Sequence, residues 1–135
     1  MRLSARNKKT LLEEIKFALE KMRSEKEPNS ILYYFSAVYG VMYRIFNIEY
    51  DSDLVFAHFV ISSTYNQINS RIQVPDKVIQ LPPNLFDKLI ETTEELLDAI
   101  NSDKNLYEVL RKYTLLGYVI VGNGYYLYQK GLLKI

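Results

Sequence analysis

The chain has 135 residues, 48% of them hydrophobic and 24% charged, with 17 basic against 16 acidic side chains and a formal net charge of +1. This is enough chain for one compact domain with a buried core, and the near-zero balance excludes a global electrostatic commitment to nucleic acid or to an anionic membrane. Zero cysteines exclude disulfides, thiolate catalysis and cysteine-ligated zinc.

The start, MRLSARNKKTLLEEIKF, reaches Glu13 and Glu14 before any long apolar run, and no stretch of about 18 apolar residues follows. The expectation is a cytoplasmic protein without membrane contact. Frequent Lys, Glu, Ile and Tyr with no Cys and no Trp suits a thermophile. Ser4 is placed to cap a first helix running to about Ser24, with Leu11, Leu12, Ile15, Leu19 and Met22 as its apolar stripe. Pro28 breaks the pattern and Asn29 or Ser30 is available as the next cap. The second segment, ILYYFSAVYGVMYRIF, is apolar nearly all round and reads as a central, heavily buried helix in which Gly40 permits close approach of a neighbour. Asp51 or Ser52 caps a third segment whose Leu54, Phe56, Phe59, Val60, Tyr65 and Ile68 continue the core. Because Val, Ile, Ser and Thr are mediocre helix formers, a strand over LVFAHFVIS is the alternative there.

Residues 1–74 thus form an N-terminal part of three helices. The Pro-rich connection at 75–83, with Pro75, Pro82 and Pro83, cannot sit inside a helix or a central strand. Residues 84–135 follow as a helix-turn-helix plus hairpin, packed with the first part as one domain. NLFDKLIETTEELLDAI is one helix, or two with Thr92 or Thr93 as a second cap. Asp103 caps the next helix, turning Leu106, Val109, Leu110 and Tyr113 inward and Lys104, Glu108, Arg111 and Lys112 outward. In GYVIVGNGYYLYQKG, the glycines at 117, 122 and 124 oppose a helix. Asn123-Gly124 is a strong hairpin signal that would pair Val121 with Tyr126, Ile120 with Leu127 and Val119 with Tyr128. The expected fold is mainly α: four to five helices in a compact bundle with a C-terminal β-hairpin.

Residues 92–131, with a Thr-rich helix start, a cadence of VLRKYTLLGYV and a Lys-Gly close after the hairpin, resemble the second half of winged helix-turn-helix DNA-binding domains. The resemblance implies a recognition helix from Asp103 to Leu116, with Lys104, Asn105, Arg111 and Lys112 as DNA contacts and Asn123 and Lys130 on or beside the wing. Arg2, Arg6, Lys8 and Lys9, four positives ahead of the first acid, are a second candidate contact with a DNA or RNA backbone. Catalytic signals are missing: His58 is the sole histidine and stands among apolar neighbours, GNG opens no phosphate loop, and no Ser or Thr has a paired base. The reading is therefore a non-enzymatic protein with no cofactor, no metal and no small-molecule substrate.

Two tyrosine bands complete the inventory, Tyr33, Tyr39 and Tyr43 in the second helix and Tyr125, Tyr126 and Tyr128 near the end. Tyrosine combines a large apolar face with one polar tip and suits an interface with a second copy or a protein partner. The function expected is a small nucleic-acid-associated regulator or accessory subunit. The alternative is a helical interaction module or homodimeric scaffold using the tyrosine-rich surface.

Overall fold

A computed structural model describes residues 1–75 and 80–135 as six helices: α1 Ala5–Ser24, α2 Pro28–Phe46, α3 Ser52–Ile72, α4 Leu85–Asn101, α5 Tyr107–Tyr118 and α6 Gly122–Gln129. Residues 76–79 of the Pro-rich connection lie outside the described residues. Helices α1 and α2 pack as a hairpin, as do α2 and α3; α3 then packs on α5, α5 on α4, and α4 back on α1. This closes a ring of five helices around one core, shared by residues 1–74 and 84–135.

Local chemistry explains most boundaries. The Ser4 hydroxyl accepts from the Asn7 N–H at 3.2 Å and the Asp51 carboxylate accepts from the Leu54 N–H at 2.9 Å, so both capping expectations are met. At α2 neither Asn29 nor Ser30 caps: Pro28 occupies the first helical turn, where its missing N–H costs nothing. The segment LVFAHFVIS is helical within α3, and α4 is one unbroken helix in which Thr92 and Thr93 turn their hydroxyls back to the carbonyls of Lys88 and Leu89. Asp103 ends α4 rather than starting α5. It sits at φ 53 while Lys104 N–H bonds Ala99 O at 2.8 Å and Asp103 N–H bonds Ile100 O at 3.3 Å, the left-handed termination that glycine usually supplies.

The core is ordered around Tyr113, fully buried on α5. Its hydroxyl meets the Thr93 hydroxyl of α4 at 2.8 Å, its backbone carbonyl accepts from the Thr64 hydroxyl of α3 at 2.9 Å, and its ring lies 5.7 Å from that of Phe35 on α2. Four helices are tied at one residue. Burial pushes the phenol far above its ordinary pKa, so it acts only as a neutral hydrogen-bonding group.

The C-terminal β-hairpin, and with it the wing, is not formed: no strand exists among the described residues, and the stretch runs α5, a short turn, α6. The reason lies in where positive φ falls. A type I′ turn needs it at both Asn123 and Gly124, but it occurs at Gly122 (φ 50) and at Gly131 (φ 74). Asn123 and Gly124 instead form the first turn of α6, and a Cβ at Gly124 would stand 1.9 Å from the Tyr118 carbonyl oxygen. That glycine serves close packing of α6 on the end of α5. The Lys130-Gly131 pair is the helix end: Leu132 N–H reaches Leu127 O at 3.0 Å and Gly131 N–H reaches Tyr128 O at 3.0 Å. A lone two-stranded ribbon is marginal in water, whereas α6 satisfies its own backbone.

Two further expectations change. The core stripe of α3 is Leu54, Ala57, Ile61, Thr64 and Ile68, which leaves Phe56 and Phe59 61% and 63% exposed. Helix α2 buries only one side, through Ile31, Leu32, Phe35, Val38, Val41, Met42 and Ile45. Its opposite side faces outward.

Candidate functional site

The outward side of the α2–α3 pair is the most distinctive surface of the molecule. Helices α2 and α3 contain only Arg44, Asp53 and Arg71 as charged residues, and Arg44 is paired with Glu14 of α1. Between the helices His58 is enclosed by rings: its centroid is 5.9 Å from Tyr39, 5.7 Å from Tyr43, 5.3 Å from Phe46 and 5.2 Å from Phe59. Its Nδ1 is buried with no hydrogen-bond partner among the described residues, and burial lowers its pKa. At neutral pH it is one more neutral ring. Tyr43 is 54% and Tyr33 71% exposed, and with Phe59 they flank a shallow strip of Ser36, Ala37 and Gly40.

Of the tyrosines read from the sequence, Tyr33 and Tyr43 lie on this face. Tyr39 is half-buried at its seam, 5.5 Å from Tyr65, and burial raises its pKa. The C-terminal band does not form a second face. The Tyr125 hydroxyl accepts from the Gln80 N–H at 3.2 Å, Tyr126 is exposed under the Lys130 ammonium at 5.6 Å, and Tyr128 packs against the core. Phe59 and His58 were missed as interface residues. The signal lay in helical phase: with Leu54, Ala57 and Ile61 inward, residue 59 points the other way.

The cations proposed for nucleic acid are dispersed among acids. Lys104 and Asn105 line a cleft of about 300 Å³ at the start of α5, with Asp53, Phe56, Asp103 and Tyr107. Asn105 Oδ1 accepts from the Tyr107 N–H at 2.6 Å. Arg111 pairs with Glu108 at 3.1 Å and Lys112 with Glu95 at 2.8 Å, in a second cleft that also has Lys88, Glu91 and Lys134. Lys8 reaches Asp103 at 2.8 Å, so the basic N-terminus and the turn between α4 and α5 do come together, across an ion pair. Lys9 lies 3.9 Å from Glu13, and Arg6 is exposed. Arg2 acts through its backbone N–H, which donates to Asp51 at 2.7 Å. Asn123 accepts from the Tyr118 hydroxyl at 2.7 Å.

The N-terminal segment is held by carboxylates of the α2–α3 loop. Glu49 accepts from the Ser4 N–H at 3.0 Å and from the Asn7 amide at 2.8 Å, bonds that lower its pKa. Burial alone would raise Asp51, but hydrogen bonds from the Arg2 and Leu54 N–H groups outweigh it and leave its pKa lowered. No helix of the described residues is long and apolar enough to cross a membrane, and none of their His, Asp and Glu side chains group in threes suited to a metal ion. Comparison with protein-family models, with curated proteins and with solved structures found no match.

Proposed function

We propose that the protein is a helical protein–protein interaction module that docks a partner through the outward face of α2 and α3. The observation that carries this reading is a surface on which Tyr33, Tyr43 and Phe59 stand more than half exposed beside an aromatic-boxed, neutral His58, with the charge of Arg44 paired to Glu14. Exposed aromatic area of this kind marks interaction sites, since its burial is favourable and rings desolvate no charge. Nucleic-acid association draws on unpaired cations, whereas Arg111, Lys112 and Lys8 already neutralise Glu108, Glu95 and Asp103.

Affinity capture with tagged protein, washed at low and at roughly 1 M salt, discriminates the two. The module reading predicts a protein partner retained at high salt, lost with Tyr43→Lys or Phe59→Lys, and kept when Lys104, Arg111 and Lys112 are changed to alanine. Retention that ignores the face substitutions, or a nucleic acid released by salt and by the alanine substitutions, contradicts it.

A further inference from the structure

Gly40 stands in the middle of α2, where glycine is disfavoured about fivefold against alanine. Among the described residues nothing requires it: beyond its own helix backbone, a Cβ there would meet no atom within 4 Å. Gly117 and Gly124 differ, since a Cβ at either would fall 1.9 Å from an atom of Gln67 or of Tyr118. A mid-helix glycine with no neighbour of its own, at the centre of an exposed uncharged strip, marks close approach of another backbone. The approaching element has to be as apolar as the strip, and the outward side of α2 is itself such an element.

Resting on the interaction reading above, we infer that the partner is a second copy of this chain, with the two α2 helices crossing antiparallel at Gly40 on a two-fold axis. Residues equally far from Gly40 then meet across the axis. Tyr43 lies over Ala37 of the second copy, Tyr33 over its Asn47, and Arg44, already paired with Glu14, over its Ser36. Each large side chain faces a small or uncharged one and no like charges oppose, the self-complementarity that a two-fold interface demands. Close crossing over Ser36, Ala37 and Gly40 lets the tyrosines enter the neighbouring grooves as ridges. Aromatic side chains bury about 200 Å² each, so Tyr33, Tyr43 and Phe59, all more than half open, supply about 400 Å² of the roughly 800 Å² per partner covered in a stable interface. The strip from Ser36 to Asn47 and the Val55 and Ser62 edge of α3 make up the remainder.

Light scattering on wild type, Gly40→Ala and Gly40→Leu at about 10 and 200 µM tests this, with thermal melts beside it. The expected result is a dimeric wild type whose mass does not fall at high salt, a dimer weakened at least tenfold by Gly40→Ala, and a monomeric Gly40→Leu. Both variants keep the helical circular dichroism of the wild type, and Gly40→Ala melts no earlier than the wild-type monomer because its methyl group meets nothing within the chain. A wild type that is monomeric at 200 µM overturns the inference. If its captured partner is then a different protein released by Phe59→Lys, the interaction reading stands without it. A dimer indifferent to Gly40→Leu overturns the crossing, and one indifferent to Phe59→Lys as well takes the interaction reading with it.

Discussion

Single side chains show how polar groups set the geometry of an apolar core. Tyr113 offers a hydroxyl that no water reaches, and Thr93 on the neighbouring helix receives it at 2.8 Å while donating its own proton to Leu89 O. Thr93→Val leaves the Tyr113 hydroxyl without a partner and is expected to cost about 1–3 kcal/mol, the penalty of a buried unsatisfied group. Tyr113→Phe is expected to cost about 1–2 kcal/mol, and adding it to Thr93→Val should cost little more than either alone. Denaturant melts of the three variants check this; strict additivity would show that the pair is not coupled. Asp103 is the converse case. It holds a left-handed conformation at φ 53 that costs a side chain about 1 kcal/mol, offset only by an exposed ion pair with Lys8 worth a few tenths. Asp103→Gly is expected to raise stability by a few tenths to about 1 kcal/mol in the same melts, and a destabilised variant would contradict the assignment of this residue as the end of α4.

At the scale of elements, the caps of α1 and α3 and the apolar stripes of α1 and α5 were legible because hydroxyl and carboxylate caps act within three residues and stripes repeat at helical spacing. Ser4, Asp51, Leu106, Val109, Leu110 and Tyr113 all stand where those rules put them. The C-terminal element was not legible, since the local preference of Asn-Gly for positive φ favours a hairpin and the helix start that forms places positive φ at Gly122 instead. What decided between them is a tertiary fact, the contact of Gly124 with the Tyr118 carbonyl. Gly124→Ala is therefore expected to detach α6 while the five-helix ring keeps its melting temperature; exchange of the α6 amides should approach the unfolded rate, and unchanged protection there would contradict the packing described. The N-terminal segment is a second separable element. Glu49 and Asp51 both have folded pKa values below their unfolded ones, so the stability they contribute is present above the ordinary carboxylate range and is lost as pH falls through the lowered values. Acid titration is expected to release residues 1–7 from the α2–α3 loop, and Glu49→Gln should flatten that part of the pH dependence of the melts. Equal acid sensitivity with and without Glu49 would sink this account of the segment.

On the whole-molecule scale, the ring of five helices leaves one large side without a covering layer. The sequence showed α2 as apolar nearly all round but not which side would stay open, because burial of a helix on one side or both is decided by helices that follow far along the chain. Here α5 takes the far side of α3, α4 closes on α1, and none of the described residues lies over Gly40. The same absence of local information hid Phe59, whose apolar side chain reads as core until the phase of Leu54, Ala57 and Ile61 is known. The candidate cations show the limit in the other direction. Lys112 and Glu95, or Lys8 and Asp103, are far apart in sequence, so their mutual neutralisation is visible only in the fold.

Solvent accessibility of individual rings tests the central claim most directly, that the α2–α3 face is the surface by which two copies of this protein associate. Paramagnetic relaxation by a soluble probe, read on ring protons at high concentration and again after dilution or in Phe59→Lys, is the measurement. The account predicts that Tyr33, Tyr43 and Phe59 are shielded at high concentration and become accessible on dilution or substitution, while Tyr107 and Tyr126 are accessible throughout. Rings on the α2–α3 face that relax as fast as Tyr107 and Tyr126 under every condition would contradict it.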